Sequence, residues 1–337
     1  MTRAREQLIC CTDTPYYHCI SRVVRKAFLC GFDNTTQQDY EHRRQWVIDR
    51  LAQIDAVFCI DICAYAIMSN HYHLVLFIDQ QKVDTLSDLE VIERWRKLYK
   101  GPDIIQRYLK GDKLSQAHHL LIKEIIDEWR CRLADISWYM RCLNEFIARK
   151  ANFEDKCKGR FWEGRFKSQA LLDEQALLTC MAYVELNPIR AKMASSPETS
   201  EFTSIKQRIN EEQDTKIDSQ STAKSNESPK ILLKKFLTNN NDLTDQIPYS
   251  YHEYLHLVDW TGRVLREDKR GAIDNNLPPI LIRLGIDPQY WCKAMQPKAN
   301  HAFSRALGCQ DKLRAYAAKL EIGWIKGISF CGKLFSA

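Results

Sequence analysis

The chain has 337 residues, 45% of them hydrophobic, and a formal net charge of +6. That length allows two domains, or one domain with a sizeable extension. No apolar run reaches the roughly 18 residues a membrane-spanning helix needs, and Met1 to Cys11 has no apolar signal-peptide core, so the expected location is the cytoplasm. The 13 cysteines include no Cys-x-x-Cys pair, and their odd number opposes a complete disulfide framework. They read as small buried hydrophobes.

Tyr16 to Val24 reads as a first strand, entered from Pro15, and Asn34-Thr35-Thr36 as a turn. Asp39 to Ile54 has helical spacing, with Trp46, Val47, Leu51 and Ile54 on one face. Val57 to Met68 is a second strand, long enough to hold an irregularity. Ser69-Asn70 turns the chain, and His71 to Ile78 returns as an antiparallel third strand. Residues 80–135 are polar and charged, with helical patches at Leu86 to Tyr99 and His118 to Leu133, and read as a helical insertion. Ile136 to Phe153 is a helix, with Ile136, Met140, Leu143 and Ile147 in three- and four-residue steps. Phe161 to Leu172 is strand or extended loop. Asp173 caps a helix that runs to about Leu186 and stops at Asn187-Pro188.

Composition shifts near Ser195. Residues 196–230 are polar and read as a flexible linker, with a short helix possible at Ile205 to Ile209. Residues 231–337 form a mostly helical extension with patterns at Pro278 to Leu284, Ala299 to Leu307 and Lys312 to Leu320. Residues 1–195 then make the first domain.

Two features carry chemistry. His71 and His73 stand two apart on a strand, so both point to one face, while Tyr72 and Leu74 point to the other. Strand histidines are commonly hydrogen-bonded structural residues. Two on one face, however, are costly to bury unless something uses their nitrogens, and the natural user is a divalent metal. His18 reads as a buried, hydrogen-bonded residue, while His42 and the His118-His119 pair read as surface. Lys156 to Lys167 holds five basic residues against one acid, with Phe161, Trp162 and Phe166 interleaved. Cations beside flat aromatics suit single-stranded nucleic acid; a solvated strand with a tucked-in tryptophan is the plainer alternative. Lys158, Arg160, Trp162, Arg165 and Lys167 are the candidate contacts.

Five blocks in order resemble the single-tyrosine HUH transposases, in particular the REP-associated tyrosine transposase group. They are Tyr16-Tyr17-His18-Cys19-Ile20-Ser21-Arg22, Ala66 to Val75 around Met68-Ser69-Asn70-His71-Tyr72-His73, Met140-Arg141-Cys142-Leu143-Asn144, Gly159 to Ser168, and Tyr183-Val184-Glu185-Leu186-Asn187-Pro188-Ile189-Arg190-Ala191. They span about residues 14–195. Val258-Asp259-Trp260-Thr261-Gly262-Arg263 looks like an extension seen in a subset of such proteins. The resemblance implies an α+β fold, a ferredoxin-like sandwich with a central antiparallel sheet. It implies that the histidine pair holds Mg²⁺ or Mn²⁺, with a polar side chain from a later helix and the scissile phosphate completing the site. It further implies that a tyrosine on that helix attacks single-stranded or hairpin DNA, leaving a 5′-phosphotyrosine and a free 3′-hydroxyl. No nucleotide cofactor is needed.

By the same resemblance the nucleophile is expected a few residues after Met140 to Asn144, where this chain has Phe146 and Ile147. Tyr139 is on the same predicted helix, eight residues before Ile147, or about 12 Å along the axis. Tyr139 is therefore the candidate relocated nucleophile, with a packed structural aromatic as the alternative. Asn144 and Asn152 are both open as the third metal ligand. Three functions follow as expectations: a strand-cleaving and rejoining transposase-like enzyme, a catalytically silent DNA-binding descendant, or a metal-dependent phosphodiesterase that uses water. Nothing in the residues selects an oligomeric state.

Overall fold

The computed structural model describes residues 9–10, 12–24, 28–34, 37–217, 230–238, 246–266, 278–296 and 305–335. The first strand, β1, is Tyr16–Arg22. A short hairpin follows, β2 Phe32–Asp33 with β3 Gln38–Asp39. Then come α1 Arg43–Asp55, β4 Ile60–Ile67 and β5 His71–Ile78. The insertion carries α2 Gln80–Thr85, α3 Asp88–Arg96, α4 Asp103–Leu109 and α5 Gln116–Leu133. After it run α6 Ile136–Glu154, β6 Lys167–Leu171, α7 Glu174–Glu185 and α8 Asn187–Arg190. The remainder holds α9 Ser204–Ile217, α10 Tyr251–Arg266, α11 Pro279–Arg283, α12 Pro288–Met295, β7 Ala306–Leu307, α13 Gln310–Lys319 and α14 Ile328–Leu334.

The sheet order is β4-β5-β1-β6-β7. Apart from the β6–β7 pair, which is parallel, neighbours run antiparallel. Taken as β1-α1-β4-β5-α6-β6, the chain makes the ferredoxin-like βαββαβ path, with a helical insertion between β5 and α6. The long second strand is irregular, its register shifting between Ile62 and Ala64. The helix expected from Asp39 begins four residues later, after the small hairpin. Thr35 and Thr36 of the expected turn lie outside the described residues.

Both sheet edges are covered by later chain, which removes open edges that invite pairing with other molecules. Outside β4, the Ile67 amide donates to Phe202 O at 3.1 Å, and the Lys234 amide donates to Ile62 O at 2.9 Å. Outside β6 lies β7. Ala299 to Leu307 reads as helical by spacing, yet Ala306–Leu307 is extended, because Ala306 and Leu307 pair with Ala170 and Leu171; residues 299–304 lie outside the described residues. Gly308 permits that approach. A Cβ there would sit 2.9 Å from Leu172 Cβ and 3.0 Å from Asp173 Oδ2.

Part of the stretch read as linker is ordered helix. α9 is tied to β4 by Ser204, whose hydroxyl accepts from the Tyr65 amide at 2.8 Å, and by Arg208, which donates to Cys63 O at 2.6 Å. Its sequence is polar because only one side of it packs. Residues 218–229 of the expected linker lie outside the described residues.

One charged cluster sits where residues 230–236 cross β4. Buried Lys234 pairs with Asp61 at 3.0 Å. Next to it, burial and then the Asp61 charge push the Asp55 carboxyl up to about 7, against weaker opposing pulls from the Leu232 amide and Lys82. The folded protein therefore holds a proton on Asp55 that the unfolded chain releases near the ordinary carboxyl value. This contribution is fully present at acidic pH and is lost as pH rises from about 4 to about 7. Asp55→Asn removes the titration. In urea unfolding the variant is expected to match wild type near pH 4 and to exceed it by about 1–2 kcal/mol at pH 8.

Candidate functional site

β5 divides the chemistry between the two faces of the sheet. Tyr72 points toward α6, where its hydroxyl donates to Asn144 Oδ1 at 2.6 Å. Asn144 Nδ2 then donates to Ser21 Oγ at 2.9 Å. α1 packs beside α6 on this side. His71 and His73 point to the opposite face, toward α7.

The histidine face has a definite geometry. The His71 and His73 ring centroids are 4.8 Å apart. His71 Nδ1 lies 2.6 Å from Asn70 Oδ1. His73 Nδ1 lies 2.9 Å from Nε2 of His18, which comes from β1. His73 is 4% exposed, and its Nε2 is buried with no hydrogen-bond partner. Burial is the main reason that His18 and His71 are held down at about 4 and His73 well below its ordinary value. Arg22 and Arg190 push His71 the same way, and His73 is lowered further because it could not be protonated alongside His18 or His71, and by Arg190. All three rings are neutral at pH 7, the form in which an imidazole offers a lone pair to a metal.

These residues fit a divalent ion. Two neutral imidazoles stand together, and a buried nitrogen without a partner costs about 1–3 kcal/mol unless something binds it. Among the described residues, no third His, Cys, Asp or Glu converges with the pair to complete an all-protein site. Asn144 is engaged on the far face, and Asn152 donates to Gly159 O at 3.1 Å. Neither asparagine reaches the histidines as a third ligand.

Tyr139 is corrected as a nucleophile. Its α6 side chain lies on the face away from the histidines and is 0% exposed. Its ring meets Phe58 edge-on at 5.4 Å, and its hydroxyl is buried without a partner. Burial, with nearby Asp55 next, raises its pKa well above the ordinary phenol value. A residue so placed does not reach a substrate phosphate, and its burial disfavours the phenolate.

Tyr183 stands where Tyr139 does not. It lies near the C-terminal end of α7, is partly exposed, and its ring centroid is 6.2 Å from that of His73. The Arg190 guanidinium lies 3.7 Å from the Tyr183 ring centroid. Arg190 Nε is buried without a partner, and its other nitrogens reach Tyr183 O and Gln296 O only at 3.5 Å. The rotation of α7 is fixed by Glu185, fully buried two residues on, which accepts from Ser204 Oγ at 2.5 Å and from the Tyr254 hydroxyl. A signal for Tyr183 was present in the sequence. α7 is apolar almost all round, the mark of a buried helix, so a tyrosine and a glutamate near its end call for a reason.

The basic segment splits. Lys158, Arg160, Arg165 and Lys167 are exposed. Lys167 lies opposite Ile20, which lies opposite His73, so Lys167 belongs to the histidine face two strands away. Arg22, opposite His71, adds a charge at the same end. The aromatics turn inward. Phe161 is buried, and Trp162 is half-buried against Tyr72, donating through Nε1 to Asn144 O at 2.8 Å. Trp162 is thus corrected from a base-stacking platform to a brace between β1 and α6.

No family model matches the chain, and no curated protein matches it. Among solved structures, that of a REP-associated tyrosine transposase bound to a REP hairpin aligns with 69% of this chain and 100% of its own. The TM-score is 0.36 and the identity 11%, a likeness too distant to bear on function.

Proposed function

We propose that this protein cleaves and rejoins single-stranded or hairpin DNA, with His71 and His73 holding Mg²⁺ or Mn²⁺ and Tyr183 as the nucleophile. The observation that carries the reading is a partly exposed tyrosine ring 6.2 Å from the His73 ring, on the same face of the sheet. Two imidazole donors favour Mn²⁺ over Mg²⁺, which prefers oxygen. When bound, the ion supplies a Lewis acid for a phosphoryl oxygen.

The chain's own residues account for the remainder. The Tyr183 oxygen forms a bond to phosphorus as the bond from phosphorus to the 3′-oxygen breaks. The phenolic proton passes to solvent, and the departing oxygen takes one up. The product is a 5′-phosphotyrosine and a free 3′-hydroxyl, and the same steps reversed rejoin a strand without ATP. Arg190 is placed to meet the phosphate and to balance charge on the phenolate. The exposed cations from Lys158 to Lys167 hold the strand leading to the site.

The reading is tested by incubating the full chain with labelled hairpin DNA and Mn²⁺, then looking for protein-linked DNA under denaturing conditions. Tyr183→Phe is expected to abolish the adduct with DNA binding retained, and Tyr139→Phe to leave it. His73→Ala is expected to remove metal-stimulated cleavage. Cleavage that survives Tyr183→Phe but not His73→Ala would instead indicate activated water. An adduct that persists in Tyr183→Phe would overturn the assignment of the nucleophile.

The DNA grip is tested separately by titration across salt concentrations. Replacing Arg160 and Arg165 together by Ala is expected to weaken binding and to make the salt slope shallower by about 1.4, from two lost single-strand phosphate contacts. An unchanged slope would remove the segment from the interface.

A further inference from the structure

Resting on the metal reading above, we infer that His18 and Gln169 form a positioning relay that keeps Nε2 of His73 free of its proton. His18 lies opposite both Val75 on β5 and Gln169 on β6, one row from His73 on the same face. Its two ring nitrogens are both engaged. Nδ1 is 3.3 Å from Gln169 Oε1, and Nε2 is 2.9 Å from His73 Nδ1. His18, His73 and Gln169 are all buried.

The direction of the relay follows from donor chemistry. An amide oxygen only accepts, so His18 donates from Nδ1. A neutral imidazole carries one N–H, so His18 Nε2 is a lone pair and accepts from His73 Nδ1–H. The remaining nitrogen of His73, Nε2, is then bare, and it is the atom found buried without a partner. His71 reaches the same state independently, since with Asn70 Oδ1 2.6 Å away its Nδ1 is the donor. Two separate oxygen acceptors thus leave both histidines with Nε2 as the free donor atom, as carbonyl and carboxylate partners do for histidines that bind metals.

Gln169 sets the direction. With its amide turned over, Nε2 would donate to His18 Nδ1. His18 would then donate to His73 Nδ1, and His73 would carry its proton on Nε2 and could not ligate.

The test is direct detection of ring protons in the full chain labelled with ¹⁵N-histidine, by long-range proton–nitrogen correlation near neutral pH and without metal. The expected spectrum has His73 protonated on Nδ1 only. His73 protonated on Nε2 would overturn the relay. Manganese binding, read by electron paramagnetic resonance without DNA, gives the second measurement. His18→Leu is expected to lower Mn²⁺ affinity about 10–100-fold. His18→Gln, which keeps an oxygen acceptor for His73 Nδ1–H, is expected to restore most of it. His18→Leu binding as tightly as wild type would also overturn the relay. Should His18→Leu fail to fold, the wild-type spectrum and His18→Gln still decide. A wild type that binds no Mn²⁺ would refute the metal reading, while the spectrum would still judge the proton's position.

Discussion

The alternation of side chains along β5 is the constraint on which everything else depends. A strand with a two-residue period cannot move its histidines without moving Tyr72. Tyr72 is fixed by Asn144 and Ser21 on one face, so His71 and His73 are fixed on the other. A one-residue slip would put two imidazoles into the α6 interface and a tyrosine into the site. The pairing of seven consecutive residues of β1 with β5 makes such a slip expensive. The placement of the histidine pair is therefore specified first by packing on the opposite face.

Late chain completes the histidine face. α7 brings Tyr183, and the extension holds α7 along its length. The Tyr249 hydroxyl donates to Glu174 O, Gln175 donates to Leu284 O, and Tyr254 donates to Glu185. Asp173, which caps α7, also accepts from the Cys309 amide. The block Val258 to Arg263 has its explanation here. At Gly262 α10 packs beside Leu186 and Ile189, and Thr261 accepts from the Trp291 indole at 3.0 Å. These residues act through position: they hold the turn that carries Arg190.

What the sequence revealed, and what it hid, follows from the range of the forces involved. β5 was legible to the residue because its pattern and its Ser69-Asn70 turn are local. α6 was legible for the same reason, and so was the face its apolar residues share. Which face of the sheet α6 would cover was not legible, and the reading of Tyr139 failed on that point. A helix pattern says which side is buried but not what lies against it. Trp162 failed in a related way. Cations next to aromatics look the same in sequence whether the rings face a base or a neighbouring tyrosine. His18 was read as a buried, hydrogen-bonded residue, and it is one. Its partners, His73 and Gln169, come from strands 55 and 151 residues away, beyond any local pattern.

Around Tyr183 one cation serves two neighbours. The Arg190 guanidinium packs over the Tyr183 ring, a contact of about 0.5–2 kcal/mol. The same cation adds a smaller push on His71 and His73, whose protonated forms burial already disfavours. On the proposed reading, a DNA phosphodiester would offset the Arg190 charge and give a metal ion an oxygen ligand at the same time. Ion and phosphate would each favour the other on that reading, so metal and DNA are expected to bind with positive coupling.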